Sequence, residues 1–146
     1  MLTAVSELFE RDLNKLITEI ESYKDESDMW KIEGNISNSA GNLVLHLVGN
    51  LKHFIGAMLG HTGYVREREK EFSEKNVPKM HLINELKETI GVVKNTLMHL
   101  SEDELKNDFP VEIGGKISST AHILIHLLSH LNYHLGQVNY HRRLLD

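Results

Sequence analysis

Ser118-Ser-Thr-Ala-His122-Ile-Leu-Ile-His126-Leu-Leu-Ser-His130-Leu-Asn-Tyr-His134-Leu-Gly-Gln137-Val-Asn-Tyr-His141-Arg-Arg-Leu144 is the stretch that decides the fold. Leu124, Leu127, Leu128, Leu131, Leu135 and Val138 recur at spacings of three and four, the signature of an amphipathic helix. Ser118 or Ser119 supplies its N-cap, and the pattern runs to about Leu144. Histidines recur at every fourth position from His122 to His134, with His141 seven residues beyond. Residues four apart are neighbours on one helix face, so the stretch predicts adjacent imidazoles. Neutral imidazole is a common protein ligand for zinc and related ions.

The same periodicity extends outward. Val5, Leu8, Phe9, Leu13, Leu16, Ile17 and Ile20 predict a helix over roughly residues 2–24. Leu43, Val44, Leu47, Val48, Leu51, Phe54, Ile55 and Met58 predict a second, from about Ser39 to Gly60. Gly49 and Gly56 cost this helix propensity, so they predict close approach of another backbone, from a neighbouring helix or a second subunit. Ile83, Leu86, Ile90, Val93, Leu97 and Leu100 give a third helix starting near Pro78, a residue tolerated in a first turn. The polar stretch 24–39 reads as a loop whose Trp30 plugs one end of the core. Ser101-Glu-Asp-Glu104 has capping-box form and begins a short helical turn, and 109–115 reads as a turn-rich link. Residues 61–78 form a charged connection too long for a tight turn. Within it, Arg66-Glu-Arg-Glu-Lys-Glu71 alternates in sign and reads as a solvated stretch. The connection carries the chain across the bundle, so that the second and third helices run in the same direction. The expectation is an all-α four-helix bundle in one domain, residues 1–146.

Composition narrows the chemistry. The chain has 146 residues, 40% hydrophobic and 25% charged, as in ordinary soluble proteins. It has no cysteine, so it offers no disulfide, iron–sulfur cluster or thiol nucleophile, which fits a reducing cytoplasm. The net charge of -5 argues against a nucleic-acid surface. No apolar run is long enough for a membrane span, and the first residues do not read as a signal peptide.

Angular position sorts the histidines, since a helix turns about 100° per residue. Measured from the centre of the apolar stripe, His122 and His126 lie on the far side. His130 lies roughly 120° away and His134 roughly 80°, on the shoulder of the core, where packing can hold a ligand. A third ligand must come from elsewhere, and the second helix offers His46 and His53. The residues alone give His130 and His134 with either His46 or His53. A lone histidine on a helix shoulder is usually a hydrogen-bonded structural residue. That is the reading for His61, His81, His99, His122 and His126, and for His141, with an extra ligand as its alternative.

Asn42-Leu-Val-Leu-His46-Leu-Val-Gly-Asn50-Leu, with His130-Leu-Asn-Tyr-His134-Leu-Gly-Gln137 far downstream, resembles the DinB-like (DinB/YfiT) four-helix-bundle superfamily. The match is closest to its small bacterial members of unknown function and covers nearly the whole chain. The resemblance implies an up-down-down-up bundle, frequent homodimers, and a three-histidine metal site on His46, His130 and His134. It thereby selects His46 over His53. Characterised relatives include metal-dependent transferases that act with low-molecular-weight thiols.

Three neutral imidazoles leave an ion with open positions, the pattern of a catalytic rather than a closed structural site. Such an ion acidifies a bound water or a small thiol. Imidazole suits several ions, of which zinc or nickel is expected. Gln137 and Asn50 are placed to orient a ligand or a bound water, and His53 to shuttle protons. No carboxylate is evident beside the ligands, and the His-Glu-x-x-His pattern of metallopeptidases is absent. The two function classes are a metal-dependent transferase or hydrolase on a small substrate, and a non-catalytic dimeric helical binding or stress-response module with a structural or incidental metal.

Overall fold

A computed structural model describes residues 1–146 and contains α-helices and no strand. The helices are α1 (Leu2–Glu21), α2 (Ala40–Leu51), α3 (Arg68–Ser73), α4 (Lys79–Met98) and α5 (Thr120–Leu145). The four long ones lie where the apolar periodicity places them. Ser39 caps α2 by accepting from the Asn42 amide, and Ser119 caps α5 by accepting from His122. Ser101 and Glu104 bond reciprocally, each backbone N–H to the other's side chain at 2.7 and 3.2 Å, and a short 3-10 turn follows. Residues 109–115 form no hairpin beyond the isolated bridges Asp108–Ser119 and Ile113–Lys116.

Two details depart from the expectation. Regular winding in α2 ends at Leu51, and Lys52–Ala57 continues as a wide π turn. The Lys52 ammonium is buried there against Glu85 and Glu88 of α4, at 2.8 and 3.4 Å. Gly56 abuts the Val92 side chain rather than a backbone; a Cβ built on it would lie 2.9 Å from Val92 Cγ1. In addition, the charged connection is not a plain linker, because it contains α3.

The core is built from the predicted stripes. Phe9, Leu13, Leu16 and Ile20 of α1 meet Leu47 and Leu51 of α2, Leu82 and Leu86 of α4, and Leu124 and Leu127 of α5, all fully buried. Each such side chain contributes about 1.5–3 kcal/mol by leaving water. Met29 is fully buried in a 3-10 turn, and Trp30 packs partly buried against the same cluster, the plug foreseen for this loop. Helix α1 packs on α4 and α5, while α2 packs on α3, α4 and α5. Polar pairs fix the register: Lys94 to Glu10 (3.0 Å), Lys79 to the Tyr23 carbonyl (2.7 Å), Asn132 to Asp12 (2.8 Å), and Asn139 and Arg142 to Glu19 (both 2.7 Å). No helix is long and apolar enough to cross a membrane.

Candidate metal centre

Burial of the α2 apolar face turns His46 inward, leaving it 7% exposed. One turn apart on α5, His130 and His134 reach it half-buried, as the helical drift requires. His46 Nε2 lies 3.1 Å from His130 Nε2, which lies 3.1 Å from His134 Nε2. The three rings stand at 82°, 88° and 86° to one another, so their edges converge like the blades of a propeller. These three residues are close enough together to hold a metal ion, with ligand atoms all within 4.8 Å.

Hydrogen counting sharpens this geometry. Glu71 Oε1 accepts from His46 Nδ1 at 3.0 Å. A carboxylate only accepts, so that nitrogen carries the hydrogen and, in the neutral ring, Nε2 is a bare lone pair. Gln137 Oε1 accepts from His134 Nδ1 at 2.7 Å, which leaves His134 Nε2 bare in the same way. His130 Nε2 sits between them and, even if protonated, can donate to only one of the two. At least one lone pair therefore points into the cluster with no proton to meet it, an arrangement that a cation resolves. Zinc–nitrogen bonds of about 2.0–2.1 Å at a tetrahedral angle put nitrogens about 3.3 Å apart, and octahedral angles about 2.9 Å. The His46–His130 and His130–His134 pairs, at 3.1 Å, fall between these values, as neighbouring imidazole ligands of one divalent ion require.

Local electrostatics favour the neutral form of the two α5 imidazoles. Burial, then the neighbouring His134 and His46, push His130 down to about 4. Burial also lowers His134, against a smaller upward pull from the Gln137 bond. Neutral nitrogens are the form that binds metal.

The carboxylate that orients His46 escaped the sequence. Glu71 on α3 is 6% exposed. Arg66 grips it in a fork, Nε to Oε2 at 2.8 Å and Nη2 to Oε1 at 2.9 Å. Burial alone would raise the Glu71 carboxyl, but the bonds from His46 and Arg66 outweigh it and hold the group below the usual carboxylate range. Glu67 to Lys70 are exposed, as the alternating charge suggests, but Arg66 and Glu71 at the ends of the run turn inward, and a carboxylate does stand beside the candidate ligands. Gly49 makes this possible: a Cβ there would lie 2.0 Å from Glu71 Oε2. The close approach expected at Gly49 is real, but a side chain makes it, not a backbone. Asn42 completes the clamp, its amide donating to the Glu71 and Glu74 carbonyls at 2.9 and 2.8 Å and pinning α3 to α2. The one sequence signal for Glu71 is Gly49 itself, three residues after His46 and close to it around the helix.

The other candidates separate cleanly. Gln137 bonds His134 directly. Asn50 and His53 make no hydrogen bond to the three imidazoles; Asn50 Oδ1 and His53 Nδ1 are buried without a partner, as is His130 Nδ1. Burial and the Arg66 charge lower the His53 pKa. His122 and His126 are exposed. His141 is buried away from the cluster, bonded to the Tyr23 hydroxyl at 2.6 Å and the Lys31 carbonyl at 2.9 Å, the structural role expected of it.

Over residues 2–146 the chain matches a family model described as Protein of unknown function (DUF1572). This chain belongs to the DUF1572 family. No curated protein matches it. Beside the three histidines, the DUF1572 chain carries a groove of about 840 Å³, reached by His134 and Gln137 and walled by α5 and residues 33–38. The wall formed by residues 33–38 continues the Trp30 loop, whereas the 61–78 connection lines none of the groove and orients His46.

Proposed function

We propose that this chain binds a divalent metal, zinc or nickel, through His46, His130 and His134, and uses it as a metal-dependent transferase acting with a small thiol, or as a hydrolase. The observation that carries the reading is the convergence of the three Nε2 atoms with fewer protons than lone pairs. The ion would supply Lewis acidity at an open position, enough to acidify a water or a thiol. The chain's residues set its surroundings. Glu71 and Gln137 orient two imidazoles with Nε2 turned to the cluster, and burial lowers the pKa of His134 and His130. Glu71 is taken up by Arg66 and His46, so it is not a free base. The metal itself would then have to acidify the nucleophile, whether thiol or water. The same observation supports the alternative, a non-catalytic dimeric binding or stress-response module with a structural or incidental metal.

We place the chain, as one domain over residues 1–146, in the DinB-like superfamily, with α1, α2, α4 and α5 as an up-down-down-up bundle. Support comes from the paired residues: Glu10 with Lys94 and Tyr23 with Lys79 set α1 against α4, Asp12 with Asn132 and Glu19 with Asn139 set α1 alongside α5, and Lys52 with Glu85 sets α2 alongside α4. We further propose a cytoplasmic homodimer, on the resemblance and the lack of cysteine.

Elemental analysis tests the site. Untagged protein purified without chelator carries about one metal per chain. His46→Ala, His130→Ala and His134→Ala each abolish it, and His126→Ala retains it. A metal-free parent, or equal loss in His126→Ala, overturns the assignment. A screen of loaded protein with small thiols and electrophilic acceptors then separates transferase from binding module, the latter showing no turnover and no thiol binding.

A further inference from the structure

We propose that the groove beside His134 selects a neutral or cationic ligand with an apolar body and discriminates against acidic ones. This rests on the metal-dependent reading only for where the ligand's reactive end would lie. The groove's volume of about 840 Å³ lies within the range of small-molecule sites. One wall is a single face of α5, where Tyr133, Gln137, Tyr140 and Leu144 follow one another at helical spacing. The facing wall is the segment 33–38, which contributes Ile36 and Glu33.

Several large apolar side chains stand exposed together here: Tyr133 (66%), Tyr140 (64%), Leu144 (77%) and Ile36 (42%). No intramolecular packing accounts for that clustering, and exposed apolar surface gathered along a concavity marks a binding site. His141 also lines the groove, but both its nitrogens are engaged, so it presents ring rather than donor. Gln137 spends its carbonyl on His134 and keeps its NH2 free to donate to a ligand.

Charge sets the selectivity. Glu33 is the only lining residue that carries a full charge at neutral pH, and no lysine or arginine is among them. Cations outside the lining have partners of their own: Lys31 pairs with Asp28, Arg66 is forked onto Glu71, and Arg143 lies over the Tyr140 ring, 5.3 Å from its centroid. Away from the His134 end, a ligand carboxylate or phosphate lying along the groove would meet Glu33 and no cationic lining side chain. A neutral or ammonium-bearing body meets aromatic faces and Glu33.

The test uses three thiols of one shape: phenylmethanethiol, 4-(mercaptomethyl)benzylamine and 4-(mercaptomethyl)benzoate. Each is titrated into the cobalt-loaded full chain and read by thiolate-to-cobalt charge-transfer absorption. The neutral and cationic thiols bind about tenfold more tightly than the benzoate. Glu33→Lys closes that gap. The double variant Tyr140→Ser, Leu144→Ser weakens phenylmethanethiol about tenfold without altering the cobalt spectrum of the thiol-free protein. A parallel saturation-transfer NMR measurement on the metal-free chain gives a benzyl alcohol signal that the double variant loses, and a weaker signal for 4-(hydroxymethyl)benzoate. If cobalt is not taken up while the benzyl alcohol signal behaves as stated, the metal reading fails and the groove stands. Benzoate binding as tightly as phenylmethanethiol, or a benzyl alcohol signal that is absent or indifferent to the double variant, overturns the proposal.

Discussion

His46 and His134 offer the same atom to the same cluster but are held in opposite ways. On the α2–α3 side, His46 is backed by a buried, charged chain, with Glu71 gripping its Nδ1 and Arg66 gripping Glu71. On the α5 side, His134 is backed by an exposed, neutral amide from its own helix, Gln137. The first arrangement depends on three separate segments meeting; the second needs only one helix. One side therefore fixes where the imidazole edge lies, and the other leaves that edge open to the groove.

Removing the charged support has the largest expected effect. Glu71→Ala strands the Arg66 guanidinium, whose side chain is 12% exposed, and an uncompensated buried charge costs about 3–5 kcal/mol. Chemical denaturation measures it, and a change under about 1 kcal/mol would erase the distinction between the two sides. Gly49→Ala is next. Its methyl occupies the space of the Glu71 carboxylate, costing about 1–3 kcal/mol in stability. It also costs about 10–100-fold in metal affinity by displacing the group that orients His46. Competition with a chromophoric chelator reads that affinity, and a parental value would mean that Glu71 does not position His46. Gln137→Ala changes stability by less than about 0.5 kcal/mol and lowers metal affinity no more than about tenfold. A larger loss of affinity than in Gly49→Ala would invert the comparison.

Acid separates the two sides by pH window. In the metal-free protein His130 is held near pKa 4, below its ordinary 6.5. Lowered in the fold, it adds stability that is full above about 6.5 and is lost as pH falls towards about 4, because the unfolded chain takes the proton first. Glu71 is lowered from 4.5, so its contribution is lost only at more acid pH. Urea melts across this range show the α5-side loss first, and Glu71→Gln removes only the more acid step.

Much of this was legible in the residues, for local reasons. Helical period, serine caps and the Ser101–Glu104 box act within a few residues, so the four long helices could be read directly. Angular drift separated His130 and His134 from His126. The choice of His46 over His53 needed the family resemblance, since both lie along one helix shoulder. Arg66 and Glu71 were hidden because alternating charge looks the same in solvent and in a folded clamp. What makes them a clamp is α3 lying on α2, held by Asn42. Only Gly49, a missing side chain beside His46, carried that information. The π turn at Lys52–Ala57 left no mark in the apolar period at all.

His46 and His130 are separated by 84 positions in a chain that has no cysteine. An ion gripping both would close that length into a ring and deny the unfolded chain many of its open conformations, as a disulfide does elsewhere. At free metal about a thousand times its dissociation constant, such binding adds about 4 kcal/mol to the folded state. The same three imidazoles would then act as a reversible staple, and metal supply would set how readily the protein unfolds.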